Sequence, residues 1–206
     1  MNKLKKIFFE VNLTWPKVIL YSVICGVITG VIALIDVLDR TSIHNIAVCF
    51  EMWIFLAMFI ILNSKKPLEA GLKTFVFFLI SQPLCYLVQV PFYRGGFQIF
   101  MYYPYWAKLT LLTFPGAMIA WFVKKENILS IIILSVAIFL LDMELCMHFS
   151  TLIKSFPYQL LAVGFIIFEI IAFISMIFKN KKKRNIVYII TLILLVISYF
   201  VAGRIF

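Results

Sequence analysis

The chain has 206 residues, 64% hydrophobic and only 14% charged, with a formal net charge of +10. A water-soluble domain carries about a quarter charged residues, so the composition and a mean hydropathy of +1.07 predict an all-α integral membrane protein instead. The positive charge does not read as nucleic-acid binding, because the basic residues gather in short turns between apolar runs, as membrane topology demands.

Residues 1–14 are basic, with an apolar run too short for a cleaved leader. They are expected to lie along the inner membrane surface, lysines toward anionic headgroups. Residues 15–206 read as a single transmembrane domain. Seven apolar runs long enough to cross about 30 Å of hydrocarbon fall at residues 17–35, 43–62, 71–92, 106–123, 128–148, 157–178 and 186–203.

Thr14-Trp15-Pro16 has the form of a helix start, with a capping hydroxyl, an interfacial indole and a proline where a missing N–H costs little. Gly26 and Gly30 give the first span a small-xxx-small face suited to close helix contact or to docking a partner. Asp36 and Asp39 share a face at its end, and Asp36 has ion-pair spacing to Arg40. The second span carries His44 at its start and Glu51 near its middle. Gln82-Pro83 interrupts the third, which ends on Gln89 and Pro91. Proline at mid-span frees backbone groups, and Gln82 is placed to satisfy them.

The connection over residues 93–105 is aromatic, an interfacial belt or a lid, with Arg94 available to an anion. Trp106 and Trp121 flank the fourth span, interrupted by Pro115-Gly116. The fifth is apolar until Asp142, Glu144 and His148. There the four-residue spacing puts Asp142 with Cys146 on one face and Glu144 with His148 on another. Glu169 sits mid-way along the sixth. The four cysteines lie in or beside apolar runs without metal-site spacing and read as buried free thiols.

Seven spans sort the basic residues unequally. One side collects the N-terminal lysines, Lys65, Lys66, Lys73, Lys124, Lys125 and the cluster from Lys179 to Arg184. The other has Arg40, Arg94, Lys108, Lys154 and Arg204. The positive-inside rule then predicts a cytoplasmic N-terminus and an outside C-terminus, in a plasma membrane. At about 1.5 Å rise per residue, Glu51 and Glu169 fall near the bilayer midplane, with Asp142 and Glu144 in the outer half. A carboxyl at that depth costs roughly 2.5–3.5 kcal/mol. Such groups either face one wet cavity and titrate as a coupled pair, or act as hydrogen-bonded glue between helices.

Phe50-Glu51 and Phe168-Glu169 open similar stretches that end in asparagine and lysines, and an acidic pair and a histidine precede each: Asp36, Asp39 and His44 before Glu51, and Asp142, Glu144 and His148, closing the fifth span, before Glu169. The echo predicts a 3+1+3 parallel pseudo-repeat, an architecture known among small transporters. The leading functional expectation is a small-solute transporter, cation- or proton-coupled. Glu51 and Glu169 would carry the ion, Asp142 and Glu144 would form the entrance, and Gln82 and Gln89 would line the path. No cofactor is required. The alternative is an intramembrane hydrolase acting on a lipid-like substrate, with a metal on His44, His148, Glu144 and Asp142 beside Cys146. A third reading is a non-catalytic component, such as an immunity protein or a substrate-capture subunit, acting as a homo-oligomer or with a membrane partner.

Overall fold

The computed structural model describes residues 11–39, 41–48 and 50–205, with side chains through Val201. Arg40, Cys49, Arg204 and most of the basic N-terminal segment therefore lie outside the described residues or side chains. Among the described residues the regular structure is entirely helical. The helices are α1 (Trp15–Ala33), α2 (Ser42–Val48), α3 (Phe50–Asn63), α4 (Pro67–Gln89), α5 (Tyr103–Ala120), α6 (Ile128–Lys154), α7 (Leu160–Ile177) and α8 (Lys181–Ile205). Six stretches are long and apolar enough to cross a membrane, or up to seven if α2 and α3 count as one span. The chain is thus a multi-helix membrane protein in character.

The element boundaries depart from the apolar runs in instructive ways. The run at 43–62 is two helices, α2 and α3, set at 49° to each other. Glu51 therefore lies beside a 49° bend, in the first described turn of α3, with Cys49 between the two helices outside the described residues. Pro83 and Pro115 stay inside α4 and α5, as proline can where neighbouring helices re-satisfy the freed backbone. The helix α6 runs on to Lys154, because nothing in His148–Lys154 breaks it; Ser150 and Thr151 hydrogen-bond back to the carbonyl of Met147. The helix α8 starts at Lys181, where the Asn180 carboxamide oxygen accepts from the N–H groups of Lys182 and Lys183 and caps it. Thr14 precedes α1 without a side-chain cap, while Pro16 takes the expected first-turn position.

The chain forms two compact units: one of residues up to Asp39 with Leu56–Trp121, the other of Arg40–Phe55 with Phe122–Phe206. This division does not follow the two halves of the sequence echo, since Glu51 and Glu169 fall in the same unit.

In the first unit α4 packs between α1 and α5. Ser22, Gly26, Thr29 and Gly30 form one buried stripe of α1. The approach is close: a Cβ on Gly26 would stand 2.7 Å from the Ser81 carbonyl oxygen, and one on Gly30 2.7 Å from that of Cys85. The small-residue face that the sequence offers for docking is therefore occupied by α4. Gly71 plays the same part toward α5, where a Cβ would meet the Phe114 carbonyl oxygen at 2.9 Å.

One end of this unit is stitched by polar contacts. Asn63 Oδ1 accepts from the Val11 N–H at 2.9 Å, and the Trp121 indole donates to the Ser64 carbonyl at 2.9 Å. Lys73, buried, pairs with Glu69 at 2.5 Å, donates to the Leu13 carbonyl and lies 5.9 Å from the Trp15 ring centroid. The connection after α4 turns inward only in part. Phe100 and Tyr103 pack on Tyr86 at 5.8 and 6.2 Å, while Arg94, Phe97, Met101 and Tyr102 stay exposed.

In the second unit α6 packs against α7 and α8, and α2 lies on α7. Asn127 and Ser130 form a reciprocal capping box at the start of α6. The start of α7 lacks a cap of its own and receives one from α2. Ser42 Oγ accepts from the Leu161 N–H at 3.2 Å and donates to the Tyr158 carbonyl at 2.5 Å. This satisfies a first-turn N–H that no helix can satisfy internally.

Candidate functional site

The second unit gathers Glu51, Glu144 and His148. Each offers a ligand atom, and these three atoms lie within 4.8 Å of one another. Glu144 and His148 share a flank of α6 because four residues make about one helical turn; their charged atoms are 4.0 Å apart. Glu51 comes from a different helix and brings Oε1 to 3.2 Å from His148 Nε2. It is wholly buried, and His148 is 5% exposed. The 3.2 Å separation is ion-pair distance, but no hydrogen bond is aligned: neither Glu51 oxygen nor His148 Nε2 has one among the described residues.

The surroundings hold this geometry in place. Gln159 hydrogen-bonds the His148 imidazole, and its Oε1 accepts from Asn45 Nδ2 at 2.8 Å. A chain of carboxamides thus orients the ring. One turn past Glu51, Phe55 packs on Phe165 at 5.8 Å and stacks on Phe173 at 6.1 Å. Those two rings flank Glu169 at four residues on either side along α7, and Ile166 and Ile170 are buried beside it.

Glu169 is wholly buried, with both oxygens lacking hydrogen bonds among the described residues. It does not join the three converging ligand atoms. Asp142 is also buried, with neither oxygen hydrogen-bonded among the described residues. Two residues along a helix is about 160° around it, so Asp142 stands on the opposite flank of α6 from Glu144, next to Cys146. His44 is half-buried with its Nδ1 lacking a partner, and lies apart from the three-residue group.

Gln82 and Gln89 belong to the first unit. Gln89 turns back on its own helix and donates to the Cys85 carbonyl at 2.9 Å. Gln82 is buried, but its Nε2 has no partner among the described residues, so it does not donate to the carbonyl that Pro83 leaves free. Lys73, Gln159 and Asn45 escaped the sequence reading. A lysine among apolar residues one turn after Glu69 is the signal for the first; nothing local marks the other two, whose partners are distant in sequence.

Set against protein-family models, curated proteins and solved structures, the chain matches none of them.

Proposed function

We propose that the protein is a small-solute transporter, cation-coupled or carrying a cation, and that Glu51, Glu144 and His148 are where the cation sits. The observation that carries this reading is Glu51. A wholly buried carboxylate with no aligned hydrogen bond is costly, and what stands beside it is an imidazole at ion-pair distance and a second carboxylate. A bound cation removes that cost. Glu51 also stands at the start of α3, where α2 has just ended, and helices broken inside the membrane are recurrent ion- and substrate-binding elements in transporters.

In this reading α2 and α3 together make one of seven spans, in a plasma membrane. The lysine distribution puts the N-terminus in the cytoplasm and the C-terminus outside. Nothing in the reading depends on the 3+1+3 repeat. Intramembrane metal-dependent hydrolysis is the second reading. It would draw on the same three groups rather than on His44, Asp142 and Cys146, because three ligands with an open position are what a hydrolytic metal needs.

The test is flux. The full chain is reconstituted in liposomes and given inward gradients of choline, rubidium, zinc or manganese. Uptake of at least one is expected, falling at least about tenfold in Glu51→Gln. No uptake of any of them, or uptake unchanged in both Glu51→Gln and Glu169→Gln, removes the transport reading.

A further inference from the structure

We infer that Glu51, Glu144 and His148 bind one divalent transition-metal ion of the zinc type. The inference rests on the reading of this group as the cation site and names the class of cation. Three observations carry it.

The first is convergence without aligned hydrogen bonds. His148 and Glu51 touch only at ion-pair distance; the carboxylate oxygens of Glu51, Oε2 of Glu144 and Nε2 of His148 are buried without an aligned hydrogen bond among the described residues, and one atom from each residue falls within a 4.8 Å span. Carboxyls acting as structural glue would be hydrogen-bonded to a neighbouring helix. Ligand atoms gathered this closely without aligned hydrogen bonds are the arrangement of a ligand set. A tetrahedral zinc ion holds neighbouring ligand atoms about 3.3 Å apart. His148 and Glu51 stand at 3.2 Å, His148 and Glu144 at 4.0 Å, and all three ligand atoms within 4.8 Å of one another, so closing the set asks the Glu144 carboxylate to move inward.

The second is the donor chemistry. Two carboxylates balance the two charges of the ion. The imidazole nitrogen selects against the hard cations: calcium takes six to eight oxygens and magnesium keeps most of its water, whereas nitrogen-and-oxygen sets suit zinc and its neighbours.

The third is the support behind the ligands. A metal-binding histidine is oriented through a hydrogen bond that its ring makes away from the ion. Gln159 makes such a bond to His148, and Asn45 holds Gln159. Three protein ligands leave a coordination position for water or for a group that moves the ion onward.

The experiment uses the purified full chain stripped with a chelator and titrated calorimetrically with zinc, then with magnesium and calcium. One zinc per chain is expected, with magnesium and calcium at least about a hundredfold weaker. Glu144→Gln, at a half-buried position, should weaken zinc binding at least about tenfold, and Asn45→Ala should weaken it about 10–100-fold through the ring it positions. Glu126→Gln, at the turn before α6, should change nothing. X-ray absorption at the bound zinc should show nitrogen and oxygen neighbours and no sulfur. Absence of stoichiometric zinc, equal binding of calcium, a sulfur neighbour, or full affinity in Glu144→Gln overturns the inference. Zinc bound normally without flux in liposomes removes the transport reading and leaves the site; flux of another solute without zinc binding does the reverse.

Discussion

Glu51 shows how little a residue's own identity says about its work. A glutamate in an apolar run costs a few kcal/mol to insert, which predicts that it is paired or neutral but not with what. The structure supplies His148 and Glu144 as its neighbours. Lys73 is the converse case, a buried cation whose demands are met by the Glu69 carboxylate, the Leu13 carbonyl and the Trp15 ring. Lys73→Met keeps the stem and removes the charge, leaving that carbonyl and carboxylate without their donor. The expected loss is about 1–3 kcal/mol, read as a lower midpoint of thermal unfolding in detergent. An unchanged midpoint would mean that Lys73 merely tolerates burial.

At the scale of elements, the contact of α1 with α4 depends on absent side chains. Inside lipid the association of helices is driven by close packing rather than by expulsion of water, so the closest approach matters most. Gly30→Leu would push a branched side chain into the Cys85 carbonyl and the Val88 side chain, which a Cβ alone would already meet at 2.7 and 2.9 Å. A loss of about 1–3 kcal/mol is expected. Gly116→Leu, at a position inside α5 where a Cβ meets nothing within 4 Å, should cost nothing and gain up to about 1 kcal/mol of helix propensity. Thermal melts of the two variants side by side test this. The cap that Ser42 lends to α7 belongs at this scale too: the short helix α2 is anchored by polar bonds at the end of α7, near the residues that orient His148.

For the whole molecule, the question that separates six spans from seven is where α2 and α3 go. If together they cross the membrane, the termini lie on opposite sides. Reporter fusions at each end, one active only in the cytoplasm and one only outside, should then place the N-terminus inside and the C-terminus outside. Termini found on the same side would leave α2 and α3 as a re-entrant pair and remove the seven-span topology.

Much of this was legible in the chain alone. Apolar runs show where helices must lie, because a backbone in lipid has to satisfy its own hydrogen bonds. Helical period put Glu144 beside His148 and lined up Gly26 with Gly30. Those relations span one turn, and a sequence states them directly. Packing decided the rest. The bend before Glu51 could not be seen in an unbroken apolar run, nor that Glu51 would meet the Glu144–His148 flank of α6, nor that Gln159 and Asn45 would stand behind the imidazole. Composition and period settled what this chain is made of and which neighbours each helix carries along itself. Only the tertiary structure chose which helices meet, since in a chain this uniformly apolar many pairings bury similar surface, and shape together with a few polar contacts selects among them.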